Sequence, residues 1–138
     1  MKRVLVGGCF DLIHYGHIRF LTESKKQGDY LIVALESDEN VRKYKGENRP
    51  IHTQKERAEM LRSLKMVDEV VELPSMNGDK EYFDFVKKIK PDVIAITEND
   101  PQTQNKKMQA DLINAAVKIV VPRLQPHSTS RLLEILEI

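Results

Sequence analysis

A doubly wound α/β domain around a five-stranded parallel sheet is the fold class this sequence predicts. Three observations predict it. Five apolar runs of strand length recur along the chain, helical patterns lie between them, and the runs are continuous rather than alternating. Continuous apolar character is what a strand needs when helices cover both faces of its sheet. Strands that alternate with helices are joined by right-handed crossovers, which makes the sheet parallel.

The first run covers residues 3–6 and stops at Gly7-Gly8. A helix is expected over residues 17–27, with Ile18, Phe20 and Leu21 on one side and Gly28 as its stop signal. The second run is residues 31–35, and the polar stretch 37–52 reads as a loop. Thr53 reads as an N-cap with Glu56 three residues on, a capping box. The helix that follows turns Ala58, Leu61 and Leu64 inward. The third run is residues 69–73, with a loop over 74–80. Residues 79–89 place Phe83, Val86 and Ile89 on one helical stripe ahead of Pro91. The fourth run, 93–96, leads through a loop at 97–105 into a more polar helix over 102–115. The fifth run is 117–121, and a last helix over 129–137 carries Leu132, Leu133, Ile135 and Leu136. No repeat, low-complexity segment or linker interrupts the pattern, so residues 1–138 read as one Rossmann-like domain.

Composition narrows the partners. A chain of 138 residues with 41% apolar and 31% charged residues suits one globular core. The formal net charge of +1 gives no whole-protein field for nucleic acid or membrane, and 6% aromatics argues against a nucleic-acid binder. Local groups must therefore meet any anionic substrate. Cys9 is the only cysteine, which excludes an intramolecular disulfide and fits a reducing, cytoplasmic setting. The first apolar run is too short for a signal peptide or membrane span.

In sheets of this kind ligands sit at the carboxyl ends of the strands. That places residues 7–17 and the segments after Leu35, Ile96 and Val121 around one crevice. The segment after the first strand ends in His14-Tyr15-Gly16-His17. It is neither a GxGxxG turn nor a Walker loop, because no Gly-Lys-Ser/Thr closes it. Gly7 and Gly8 allow close backbone approach. If a helix starts nearby, both imidazoles share one side of its first turn, beside free amides and the positive helix end. Two donors at a helix N-terminus can cradle a phosphate chain.

Gly8-Cys9-Phe10-Asp11 with His14-Tyr15-Gly16-His17 resembles the first signature of the cytidylyltransferase-like nucleotidyltransferases. Arg123 ahead of Ser128-Thr129-Ser130 resembles their second, at the opening of the last helix. Between them, Lys45-Gly46, Arg49-Pro50 and Arg57 match a lysine-rich loop and the arginine of the following helix. The resemblance spans almost the whole chain. Within that family it is similar to the bacterial glycerol-3-phosphate cytidylyltransferases, the adenylyltransferase domains of ADP-heptose synthesis and the archaeal FAD synthases.

The resemblance implies direct in-line transfer, with an acceptor phosphate oxygen attacking the α-phosphorus of an NTP and pyrophosphate leaving. His14 and His17 would hold the triphosphate and stabilise charge. Lys45 and Arg123 would neutralise phosphate oxygens. Ser128 and Thr129, with Ser130 and the amides of the last helix, would bind the β and γ oxygens. Gly8, Cys9, Phe10, Asp11, Gly16, Arg57 and Asn99 complete the implied nucleotide site. Mg²⁺ is expected on the triphosphate, held mostly by water and phosphate. Each residue keeps a plainer alternative. Ser128 or Thr129 is an N-cap, Lys45 a solvated lysine, Arg57 a helix-surface ion pair, and Asp11 a loop anchor. Cys9 reads as a small packing residue, and His52 and His127 as loop residues.

One departure bears on the base. Many relatives have Gly-Asp after the fourth strand, where this chain has Thr97-Glu98-Asn99-Asp100. The expected function is transfer of AMP or CMP to a phosphorylated sugar or polyol, in a homodimer. The alternatives are an FMN adenylyltransferase and a non-catalytic nucleotide sensor.

Overall fold

The structure, a computed structural model, describes residues 1–121. The expected last helix, with Arg123, His127, Ser128, Thr129 and Ser130, lies outside the described residues. Ten elements follow in order: β1 (Arg3–Gly8), α1 (Tyr15–Lys25), β2 (Tyr30–Leu35), α2 (Asp38–Lys45), α3 (Gln54–Arg62), β3 (Glu69–Glu72), α4 (Asp79–Ile89), β4 (Val93–Thr97), α5 (Thr103–Leu112) and β5 (Ala116–Val121). All four strand pairings are parallel, in the order β3-β2-β1-β4-β5. The chain leaves β1 for one side of the sheet and returns for the other. The switch point therefore lies between β1 and β4, where such sheets open a crevice.

The continuous apolar runs are two interleaved faces. Val4 and Val6 of β1, Leu31, Val33 and Leu35 of β2, and Val93 and Ala95 of β4 meet Phe20, Leu21, Ala58 and Leu61 from α1 and α3. The intervening Leu5, Ile32, Ala34, Ile94 and Ile96 meet Val86 of α4 and Ala110 of α5. Strand side chains alternate faces with period two, so a strand covered on both sides needs apolar residues at every position. The edge strand β5 is less covered, and Ala116, Lys118 and Ile119 are exposed.

Four local expectations change. Residues 37–52 hold a helix, α2, where a loop was expected. Its only buried apolar residue is Val41, so no apolar period announces it. Its signals are electrostatic instead. Ser37 caps it, Asp38 and Glu39 open it, Arg42, Lys43 and Lys45 close it, and Gly46 ends it at φ 108°. Gly28 does not stop α1 through a left-handed turn. A Cβ there would stand 2.7 Å from the Lys2 carbonyl oxygen, so the glycine lets two backbones pass. Ile18 stays half-buried on the outer side of α1, while Phe20 and Leu21 point inward. On α4 the core stripe is Tyr82, Phe85, Val86 and Ile89, and Phe83 instead carries the Lys87 ammonium 4.8 Å above its ring. The capping box at α3 forms as the sequence predicts, with Thr53 and Glu56 bonding each other's backbone. No helix among the described residues is long and apolar enough to cross a membrane.

Candidate functional site

At the carboxyl ends of β1, β2 and β4 lies a cleft of about 1140 Å³. One wall is the loop after β1, and the other is made of α2, the segment before α4, and the turn into α5.

The first wall is held by internal bonds. Phe10 and Leu12 take left-handed backbone angles, φ 48° and 54°, uncommon for residues with a Cβ. The Phe10 ring folds back over Gly8, where a Cβ would stand 2.9 Å from a ring carbon. A side chain at position 8 would therefore have to displace the Phe10 ring. At Gly7 a Cβ would meet only the Ala34 carbonyl, at 3.8 Å.

Asp11, expected at the nucleotide, turns its carboxylate inward, with no exposed side-chain surface. It accepts from Arg49 Nε at 3.0 Å and from the amides of Ile51 and His52 at 2.7 and 3.1 Å. Burial opposes its ionisation, but these donors win and hold it below the usual carboxylate range. It is a loop anchor. Arg57, also expected at the nucleotide, is fully buried and absent from the cleft lining. Its guanidinium donates to the carbonyls of His52, Cys9 and Glu36 and to Asp38 Oδ1, at 3.0, 2.7, 3.0 and 2.6 Å. A rigid five-donor fork suits that task, and it ties the ends of β1 and β2 to α3.

His14 is the N-cap of α1 and His17 its third residue. The Gly16 amide donates to His14 Nδ1 at 3.0 Å, and the His14 amide donates to His17 Nδ1 at 3.2 Å. The two imidazoles thus form a capping box. This corrects the expectation of free amides at the helix start, because His14 takes the Gly16 and His17 amides itself. Each Nδ1 acts as an acceptor, so a neutral ring carries its proton on Nε2. The rings lie 3.9 Å apart by centroid, and both line the cleft. Burial, then the His14 and Lys45 charges, push the His17 pKa down to about 3. His17 is a neutral donor at physiological pH.

Lys45 ends α2, is exposed, and lines the cleft. Among the described residues it has no ion pair. Burial pushes the Cys9 thiol up, against the opposing Lys45 charge, so Cys9 stays protonated and is no activated nucleophile. Asn99 is exposed on the other wall. Its neighbour Asp100 accepts from the Gln102 amide at 2.7 Å and from Lys106 Nζ at 2.5 Å, opening α5.

The structure thus brings Gly8, Cys9, Phe10, Asp11, His14, His17, Lys45 and Asn99 to one cleft, with the Asp11 carboxylate turned inward, and holds Arg57 behind it. Sequence reading missed Glu36, Tyr44, Tyr82 and Lys106, which also line it. Only the position of Glu36, directly after the second apolar run, signalled it.

Residues 5–134 match the family model described as cytidylyltransferase-like. The chain is 38% identical to the FAD synthase of Pyrococcus horikoshii over 137 residues, covering 98% of this chain and 90% of that protein. It is 43% identical to the bifunctional protein HldE of Campylobacter fetus over 91 residues, covering 66% of this chain and 19% of that protein. Against another FAD synthase the match spans 60% of the relative's length. Among solved structures, a lipopolysaccharide core biosynthesis protein from Thermoplasma volcanium aligns with a TM-score of 0.70 and 31% identity, over 88% of this chain and 95% of that one.

Proposed function

The chain belongs to the cytidylyltransferase-like family, and on that premise we propose that it transfers AMP or CMP from an NTP to a phosphorylated sugar or polyol. The observation that carries this reading is the histidine pair, with both Nδ1 atoms accepting from backbone amides and both rings lining the cleft that Lys45 borders. An acceptor phosphate oxygen attacks the α-phosphorus, and the bond to the bridging oxygen of pyrophosphate breaks. The electron pair leaves with pyrophosphate, and no covalent enzyme intermediate forms. The work left to the protein is positioning and charge stabilisation. The Nε2–H groups of His14 and His17 donate to the α-phosphate oxygens, where charge develops. Both donors are held by the backbone and need little reorganisation, and His17, neutral at physiological pH, needs no proton uptake to donate. Lys45 neutralises phosphate charge from the end of α2. Arg123, Ser128, Thr129 and Ser130 are proposed at the β and γ phosphates on the strength of the sequence signature. Mg²⁺ would accompany the triphosphate and neutralise its oxygens. Phosphate and water would supply most of its ligands.

FMN is the second acceptor reading, favoured by the near full-length similarity to the Pyrococcus horikoshii FAD synthase. Pyrophosphate release, measured with ATP and CTP against sugar phosphates, polyol phosphates and FMN, tests both. Release with one NTP and one acceptor class is expected. Tight NTP binding with no release for any acceptor would replace the transferase reading with nucleotide sensing.

A further inference from the structure

The wall facing the first loop carries a carboxylate that the transfer described above leaves unused. Glu36 follows β2 directly, and its amide donates to the Gly8 carbonyl at 3.1 Å. It therefore stands beside the loop that would hold the phosphates. Its side chain lines the cleft, although the residue is only 8% exposed. Both carboxylate oxygens accept from the Tyr82 hydroxyl, at 2.9 and 2.8 Å. That hydroxyl accepts from Asn40 Nδ2 at 3.0 Å and lies 3.2 Å from the Tyr44 hydroxyl. Among the described residues no cation pairs with Glu36. The nearby Lys106 is bound to Asp100.

A carboxylate accepts at several lone pairs, and neutral donors alone do not compensate it when buried. Burial accordingly raises its pKa, against the hydrogen bonds of Tyr82, Asn40 and Tyr44 and the charge of Lys106. Such a group repels a phosphate and attracts hydroxyl donors. The same cleft is lined by five side-chain amides, Asn77, Asn99, Gln102, Asn105 and Gln109. An amide both donates and accepts, which matches a hydroxyl. The apolar floor is largely covered. Leu73, Met76, Val86 and Ile94 are 3%, 7%, 6% and 3% exposed, while Tyr44, Phe85 and Pro101 keep open apolar surface at the margin of the cleft.

We infer that Glu36, held by Tyr82 with Asn40 and Tyr44 behind it, reads the hydroxyls of a polyhydroxylated acceptor, a sugar or polyol phosphate, and so sets which end of the acceptor faces the nucleotide. The phosphate end points to Lys45 and the histidines, and the hydroxyl-bearing body lies on Glu36 and the amides. This inference deepens the transferase reading and rests on it for catalysis, but not for binding.

Glu36→Gln keeps the shape and removes the charge. With ribitol phosphate, glycerol phosphate and a pyranose phosphate as acceptors, the KM of the accepted compound should rise at least about tenfold, the scale of losing a hydrogen bond to a charged group. The KM for the NTP should stay within about twofold, a split that general loss of structure would not give. Equal rises for acceptor and NTP, or an unchanged acceptor KM, would overturn the assignment. Transfer to FMN with ribitol phosphate inert would overturn the acceptor class. If Glu36→Gln fails to fold by thermal melt, Tyr82→Phe decides in its place. A selective rise in acceptor KM is expected from the loosened carboxylate, and no rise would count against it. If no acceptor supports transfer, the proposed function fails, and calorimetry still judges the subsite. Ribitol phosphate should bind the wild-type protein and bind Glu36→Gln more weakly. Equal binding, or none to wild type, would dismiss it.

Discussion

Asp11 and Arg57, behind the first-loop wall of the cleft, are buried and use their polar atoms on neighbouring backbone and side chains. Asn99 and Gln102, on the opposite wall, are exposed, and Asn105 bonds mainly within its own helix start, to Gln102 at 2.7 Å. One wall is a network in which each group fixes the next. On the other, the side chains at the turn into α5 stand largely apart, while Glu36 is held by Tyr82 with Asn40 and Tyr44 behind it. The difference teaches where a fold keeps its chemistry and where it keeps its selectivity. Transfer needs donors held to within a fraction of an ångström, which requires bonds from several elements at once. Choosing an acceptor needs only different side chains at the same backbone positions.

Perturbing each wall separately tests that contrast. The largest effect is expected for Asp11→Ala, which leaves Arg49 buried without its carboxylate. Denaturant unfolding should show a loss of about 3–5 kcal/mol, the scale for breaking one side of a buried ion pair. A loss below about 1 kcal/mol would mean that the wall is not a network. His17→Ala should retain the fold by circular dichroism and lower kcat by at least about a hundredfold in pyrophosphate release, as when one positioned donor is removed. Near-normal turnover would sink the histidine mechanism.

The same residue sets an acid dependence. The folded-state pKa of His17, about 3, lies below its ordinary 6.5, so the unfolded chain binds this proton first as pH falls. Its contribution to stability is therefore complete above 6.5 and declines as pH drops towards 3, by at most roughly 1.4 kcal/mol per pH unit. Asp11, with its pKa lowered, adds a loss that sets in as pH falls through the ordinary carboxylate value of 3.8 and continues below it, overlapping the lower end of the His17 window. His17→Asn should flatten the stability profile over the upper window, and an unchanged slope would mean that His17 titrates normally.

Lys45→Ala tests the open side. An exposed lysine without an ion pair among the described residues should leave the melting temperature unchanged while raising the NTP KM roughly tenfold, the scale of one charge-assisted bond. A lowered melting temperature would move Lys45 into the network. The smallest effect is expected for Thr53→Ala, which belongs to neither wall. It should cost about 1 kcal/mol through the lost α3 cap and leave kinetics alone. A kinetic effect would show that α3 is coupled to the cleft through His52 and Arg57.

Much of the fold was legible because its code is local. The apolar runs marked all five strands, most fully in β1, β2 and β4, since a strand covered on two faces has no polar position to spare, and with polar residues admitted at the edge strands β3 and β5. Thr53 and Glu56 marked a helix start four residues long in its signal. The helix α2 escaped because it buries one apolar residue, although its cap and charge order were present in the sequence. The histidine pair was legible as a motif. That its rings cap the helix, with both Nδ1 atoms accepting from amides, was not, since an exposed cradle of amides fits the same spacing.

The sequence by itself determined the class of fold, the parallel sheet and the crevice at the strand ends, because period and capping are properties of neighbouring residues. Only the tertiary structure decided the roles of Asp11, Arg57 and Glu36. Their partners lie far along the chain: Asp11 meets Arg49, 38 positions away, Arg57 meets the Cys9 carbonyl, 48 away, and Glu36 meets Tyr82, 46 away. A charged residue at helical spacing reads as a surface residue until the fold brings carbonyls to it. Whether a buried polar group anchors, clamps or reads a ligand depends on which donors and acceptors the sheet order places around it, and no local pattern contains that.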